Sequence, residues 1–178
     1  MATEQRTVII NTPRIKNGLI GAIRELLEHR ALWLYMLIDA AGEKGLKPED
    51  FAGQAVTRCG LYQGKHLVAK GGTSSLKGLK KTLFGKVAQW VFEMKIWRST
   101  DDNLDIDFHY CPLVAAWQQQ GCSPEEIRQL CDIAMSGDRG IAAAYGCHMD
   151  LMTAIARGDS HCEVRFARGL ESSITPDS

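Results

Sequence analysis

The chain carries no surplus of charge: 21 Lys and Arg stand against 21 Asp and Glu in 178 residues. A partner held by its field, such as a nucleic-acid duplex or an anionic membrane, calls for a basic excess. Neither nucleic acid nor membrane is therefore expected as a partner. Long apolar runs are missing too, and none reaches the roughly 18 residues of a membrane span. The opening MATEQRTVIINTPR has none of the basic, apolar and small-residue order of a secretory signal, so a cytoplasmic location is expected. Proline is scarce, at five residues, and no low-complexity stretch or internal repeat occurs, which excludes Pro-rich linkers and solenoids. There is no GxxxxGK[ST] phosphate loop, no CxxC and no Cys/His quartet at zinc-finger spacing, so neither a nucleotide site nor a structural zinc is supported.

What the chain does have is cysteine: Cys59, Cys111, Cys122, Cys131, Cys147 and Cys162. Outside an oxidising compartment these are thiols, and most such thiols serve as small buried hydrophobes. Cys59, Cys122 and Cys147 have no polar company and read as filler.

The patterning predicts an α+β fold with N-terminal helices, two antiparallel β-hairpins forming a sheet, and a helical pair between them. Apolar residues at helical spacing predict a first helix from Pro13 to about Ala41, capped by Asn11 or Thr12 and ended by Gly42 and Gly45. Its stretch Ala31–Ile38 is almost continuously apolar, which predicts a homo-oligomer. A second helix is expected from Pro48 to about Leu61. A basic, glycine-rich loop and a short helix from Leu76 to Leu83 follow. Phe92–Arg98 and Leu104–Tyr110 read as a hairpin around Asp101–Asn103. Pro112–Gln120 is helical, and Ser123-Pro-Glu-Glu126 is a helix start. The Gly137–Gly140 segment is expected to break that helix. Asp150–Ile155 and Cys162–Phe166 form a second hairpin. Residues 1–84 are a helical region, 85–168 an α+β region carrying the site, the two together one compact domain, and 169–178 a polar tail.

Chemistry concentrates at the strand ends. His109 and Cys111 alternate with Tyr110 and so point to one side of an extended strand. Cys111 stands immediately before Pro112, and Cys162 opens the last strand. A thiolate beside an imidazole is an activated sulfur nucleophile; equally, both cysteines could plug a sheet–helix interface. Asp138, flanked by glycines within an apolar helical stretch, reads either as an aimed carboxylate or as an exposed partner of Arg139. Cys131 lies on a buried helix face. Gly158–His161 is turn chemistry first, with His161 beside Cys162. Lys65, His66 and Lys70 read as a solvated basic loop. A zinc ion on His109, Cys111, Cys162 and Asp138 suits the donor types, but nothing in the spacing calls for it, and no cofactor is expected.

From Phe108 onward the sequence resembles a known family. The segments Phe108-His-Tyr-Cys-Pro-Leu-Val-Ala-Ala116, Gly121, Leu130-Cys131, Gly137-Asp138-Arg139-Gly140 and Arg157-Gly-Asp-Ser-His-Cys162-Glu-Val-Arg-Phe166 look like the L-2-amino-thiazoline-4-carboxylic acid hydrolase family. The closing motif is also similar to 4-vinyl reductase-type small-molecule binding domains. The first resemblance implies a hydrolase that opens a small cyclic amidine to a carbamoyl-cysteine. Carried over position by position, it implies catalytic roles for Cys111, Asp138 and Cys162, with His109 beside them. A substrate carboxylate then needs a basic group, with Arg139, Arg165 and His161 as substrate-binding candidates and Lys70 a further cation. This chain departs from the family in placing Cys131 seven residues before the acid. The second resemblance implies a non-enzymatic small-molecule or metal-binding sensor instead.

Overall fold

The structure is a computed structural model and describes residues 7–169. Six helices and four strands follow in the order α1 (Gly18–Gly42), α2 (Pro48–Gly71), α3 (Leu76–Thr82), α4 (Lys86–Val91), β1 (Met94–Ser99), β2 (Asn103–Phe108), α5 (Pro112–Gln119), α6 (Pro124–Ala144), β3 (His148–Thr153) and β4 (Cys162–Ala167), with a 3-10 turn at Ile155–Arg157. The α+β reading holds. Both hairpins form, and they join edge to edge into one antiparallel sheet of order β1-β2-β4-β3. In the central pair, Ile106 lies opposite Val164 and Phe108 opposite Cys162. Leu104, Ile106, Val164 and Phe166 are buried on one face with Leu76, Leu79, Ile141 and Tyr145 above them. Asp105, Asp107, Glu163 and Arg165 occupy the other face, as strict alternation requires.

A second apolar cluster lies away from the sheet. Ala31 of α1, Val114 and Trp117 of α5, Ile127, Leu130 and Cys131 of α6, and Ile155 pack together, with Cys111 and Cys162 at its edge. The Trp117 indole N–H donates to the Ala31 carbonyl at 3.1 Å, which fixes α5 to α1.

Several boundaries differ from the sequence expectation, each for a local reason. Helix α1 begins at Gly18 instead of Pro13, because Asn17 is its cap and accepts from the N–H groups of Leu19 and Ile20. Residues 7–17 form an extended strap across the molecule, and Asn11 is a strap residue. The expected loop after Leu61 is helix to Gly71. Its glycines are a contact surface: Gly60 and Gly64, four residues apart, lie with Ala52 on the buried face of α2, and Cys59, read as filler, is exposed. Helix α6 runs unbroken through Gly137–Gly140. The predicted start of α6 holds in full, with Ser123 and Glu126 forming a reciprocal capping box behind Pro124. The polar tail lies outside the described residues from 170 on.

The α2–α6 crossing explains the glycines. A methyl group at Gly60 would lie 1.9 Å from the Gly137 carbonyl oxygen, and one at Gly140 would lie 2.3 Å from the Thr57 carbonyl oxygen. At Gly64 it would meet the Ala144 methyl at 2.6 Å. Two of these contacts are with backbone, which cannot rotate away. Gly60→Ala or Gly140→Ala is therefore expected to cost about 1–3 kcal/mol through overpacking. Gly21→Ala, where the added methyl meets nothing within 4 Å, should stabilise α1 by about 0.4–1 kcal/mol. Urea denaturation midpoints of the three variants check both signs.

Candidate active site

Cys111 is placed by the chain on both sides of it. Pro112 forces the preceding residue into extended backbone, and Cys111 sits at φ −129°, ψ 111° as the N-cap of α5, with Pro112 in the first turn. Upstream, backbone pairing continues past the end of β2, with the Tyr110 N–H donating to the Phe92 carbonyl at 3.1 Å. Burial pushes the Cys111 thiol above its usual range, while the N–H groups of Val114 and Leu113 pull the other way and the Asp138 carboxylate adds to the rise.

Asp138 reaches the same place from α6. It stands seven residues after Cys131, about two helical turns, so the two share one face of the helix. Burial raises its carboxyl pKa to about 6, against the pull of Arg30 and then of Arg139. It retains some accessible surface and is not sealed off. Among the described residues it makes no ion pair within 4 Å. Cys162 closes the group. The Ile155 N–H donates to its sulfur at 3.3 Å, and burial, with Cys111 nearby, pushes this thiol up to about 12. Cys131 is raised by burial and then by Cys111 and Cys162. Cys111, Cys131 and Cys162 thus share one apolar cluster, and the charge of Asp138 acts on Cys111.

His109 is elsewhere. Strand β2 ends at Phe108, and the expected shared side for His109 and Cys111 does not arise, because the chain turns between them. The imidazole stacks on His161 at 5.3 Å between ring centres. Its pKa is lowered by burial first and then by Arg14 and His161. His161 lies 3.9 Å from the buried Asp107 carboxylate, which also accepts from the Trp97 indole. Arg165 is ion-paired with Glu163. Trp97, Asp105, Asp107, His161, Glu163 and Arg165 line a groove of about 340 Å³ on the outer face of the sheet. It is larger than a second concavity, yet it has no cysteine, and its carboxylates are engaged with Arg and Trp partners. The smaller one, of about 230 Å³, is lined by Ile15, Asn17, Ile20 and Trp90 and has no titrating group. We propose Cys111 and Asp138 as the candidate site, because neither groove contains a cysteine. Asp159 accepts from the Ala154 N–H at 2.8 Å and shapes the turn before Cys162.

Among the described residues no three His, Cys, Asp or Glu side chains are arranged to hold a metal ion. The zinc set of His109, Cys111, Cys162 and Asp138 is not assembled: no three of the four are arranged to share an ion, and His109 lies against His161. Two further residues act on this pair: Arg30, which has no part in the sequence reading, and Asn11, which the sequence reads as a helix cap. Arg30 is the cation acting most strongly on Asp138. Asn11 bonds the Cys111 backbone at 2.8 and 2.9 Å. Neither leaves a sequence signal, since each acts across a long chain separation.

The raised carboxyl has a pH signature. Between about pH 3.8, its unfolded value, and about pH 6, the native state holds a proton that the unfolded state has lost, so stability falls as pH rises through this window. Above it the penalty is constant. Asp138→Asn is expected to gain about 1–2 kcal/mol relative to wild type on going from pH 4 to pH 7.5, a figure reduced for the remaining exposure. Urea titrations at both pH values measure it; an equal difference at the two would mean that the carboxyl is not raised.

Comparison with known proteins gives three results. No curated protein matches the chain. Among solved structures it is similar to a trafficking protein particle complex subunit 3 from Naegleria fowleri, covalently bound to palmitic acid. That likeness has a TM-score of 0.51 at 16% identity and covers 79% of this chain and 93% of that one, and it speaks for the fold alone. The family model described as L-2-amino-thiazoline-4-carboxylic acid hydrolase matches residues 24–166, from within α1 to the end of the sheet. The likeness read from Phe108 onward therefore extends over the N-terminal helices, and the chain belongs to the L-2-amino-thiazoline-4-carboxylic acid hydrolase family.

Proposed function

We propose that the protein hydrolyses a small cyclic amidine of the 2-amino-thiazoline-4-carboxylate type to a carbamoyl-cysteine. The observation that carries this reading is the charge coupling between Cys111, the N-cap residue of α5, and Asp138, whose carboxyl pKa burial raises to about 6. An amidinium is a planar cation that a carboxylate recognises through paired N–H donors. Near neutral pH Asp138 is mostly ionised and can receive it.

Binding the cation also reverses the electrostatics at sulfur. In the free protein Asp138 raises the Cys111 thiol. Once an amidinium neutralises that carboxylate, the repulsion is gone, and the Leu113 and Val114 N–H groups favour the thiolate. The nucleophile is thus activated by its own substrate. The Cys111 sulfur attacks the amidine carbon, the ring carbon–sulfur bond breaks, and the ring sulfur leaves as a thiolate that takes up the proton shed by Cys111. Water then adds to the same carbon, giving one proton to Asp138. The carbon–Cys111 bond breaks, the second water proton goes to the departing sulfur, and a urea remains. The net reaction adds one water and releases no ammonia. Arg30, beside Asp138, and Arg139 on the next helical position are the cations for the substrate carboxylate. Cys162 and Cys131, with raised pKa values, stay protonated and form the wall. His109, His161 and Arg165 have no part in these steps.

Reactive thiols need a reducing compartment, and a cytoplasmic protein fits this chemistry. Helix α1 also presents Leu19, Leu26, Trp33 and Leu37 to solvent along one stripe, with Leu26 72% and Trp33 62% exposed. Such a stripe supports self-association through α1; light scattering should show a homo-oligomer that Trp33→Glu shifts toward monomer.

One observation favours a second reading, of a domain that holds a small molecule without turnover: burial keeps all three clustered thiols protonated in the free protein. Incubation with the aminothiazoline carboxylate and chromatographic detection of carbamoyl-cysteine decides between the two. The hydrolase reading expects turnover that drops at least about 100-fold in Cys111→Ser and in Asp138→Asn, and by less than about 3-fold in His109→Ala. Stoichiometric binding with no product would favour the second reading.

A further inference from the structure

Cys111 is held from a distance. The Asn11 amide nitrogen donates to the Cys111 carbonyl at 2.8 Å, and the Cys111 N–H donates to the Asn11 side-chain oxygen at 2.9 Å. One amide side chain thus satisfies both backbone groups of a single residue, as a paired strand would, across 100 positions of sequence. Cys111 is the residue whose backbone needs such help. The chain leaves the sheet at Phe108 and enters α5 at Pro112, and an N-cap has no helical partner for its own N–H.

The strap that carries Asn11 is pinned on either side. Gln118 donates to the Ile9 carbonyl at 2.9 Å, and the Arg14 and Ile15 N–H groups donate to Glu93 at 2.6 and 2.8 Å. Glu93 is itself buried and paired with Arg24. Burial works to raise its pKa, but the Ile15, Arg14 and Arg24 hydrogen bonds bring it below the usual carboxylate range. Asn11 therefore sits at the centre of a strap anchored at both ends and cannot follow Cys111 if the thiol drifts.

We infer that Asn11 is a positioning residue for Cys111, clamping the peptide of the nucleophile so that its sulfur stays over the first-turn N–H groups of α5. The inference rests on the reading of Cys111 as the nucleophile. The sulfur makes no full cap hydrogen bond in the free protein, yet the Val114 and Leu113 N–H groups already act on it. A thiolate at that position would be stabilised only while φ and ψ of Cys111 are held. Releasing the clamp lets the sulfur swing off the helix axis and leaves the thiol under the influence of burial and Asp138 alone. Asn is the fitting residue type, because one planar group must donate and accept side by side. Aspartate of the same shape can only accept, which sets a carboxylate oxygen against the Cys111 carbonyl and adds a negative charge beside the sulfur.

The test is the pH profile of Cys111 alkylation by iodoacetamide in the folded protein, read peptide by peptide against Cys162 and Cys59. Asn11→Ala is expected to slow alkylation of Cys111 at pH 8 by about 10-fold and to shift its profile upward by about one pH unit. Asn11→Asp should shift it further. Neither should change Cys59, which is exposed on α2. Gln118→Ala is the control for general loosening: it frees the neighbouring strap anchor and should leave Cys111 within about 2-fold of wild type. With the aminothiazoline carboxylate, Asn11→Ala should lower kcat by about 10-fold or more with KM changed by less than about 3-fold. Cys111 alkylating in Asn11→Ala at the wild-type rate and pH profile would overturn the inference, and so would an equal effect from Gln118→Ala. Should Asn11→Ala fail to fold, Asn11→Ser carries the same comparison. Absence of turnover in wild type would count against the hydrolase alone, since the alkylation profile reads the clamp without any substrate.

Discussion

The contact between helices α2 and α6 governs the rest of the architecture. Their backbones meet at Gly60, Gly64 and Gly140, where even one added methyl would lie inside a carbonyl oxygen or a neighbouring methyl, and Gly137 supplies the carbonyl opposite Gly60. Once the two helices are that close, the rotation of α6 about its axis is fixed. One of its faces is given to α2, another covers the sheet through Ile141 and Tyr145, and a third points Cys131 and Asp138 toward the start of α5. The glycines that flank Asp138 in sequence therefore matter for the site by leaving α6 no freedom to turn the carboxylate away.

The second constraint is the pinned strap. Residues 7–17 have no regular secondary structure, yet they bond to Glu93, to Gln118 and to both backbone groups of Cys111. Glu93 adopts a left-handed backbone, at φ 51°, an uncommon conformation for a side chain with a Cβ. Its carboxylate receives Arg14, Ile15 and Arg24 in return, and Arg24 lies over the Tyr110 ring at 4.3 Å. That network sits one residue from Cys111, so the environment of the nucleophile is built from the strap, the β1 approach and α1 together.

Much of this was legible in the sequence where the signal was local. The period of two in Leu104–Phe108 and Cys162–Phe166 gave the central strand pair, and Ser123-Pro-Glu-Glu126 gave the start of α6. The misreadings share a physical cause. Glycine reads as a breaker from Gly64 onward and in Gly137–Gly140, but in a helix it also permits close backbone approach, as at Gly64 and Gly140, and one sequence cannot tell the two uses apart. The pairing of His109 with Cys111 assumed that extended geometry continued past Phe108, whereas Pro112 and the α5 cap redirect the chain. Arg30 and Asn11 were invisible because their roles exist only after α1 and the strap are laid against α5 and α6. Cys111, Asp138 and Cys162 stand out from strand ends and a family resemblance; the two cysteines border one apolar cluster, and Asp138 acts on Cys111 through its charge.

The central claim is that Cys111 is a nucleophile activated by neutralisation of Asp138, and acid-quenched mass spectrometry during steady-state turnover of the aminothiazoline carboxylate addresses it most directly. The account predicts a protein species heavier by one substrate molecule. Peptide mapping should locate it on Cys111 and not on Cys131 or Cys162, and it should be absent in Asp138→Asn. Rapid product formation by a Cys111→Ala protein, with no adduct on any thiol, would contradict it.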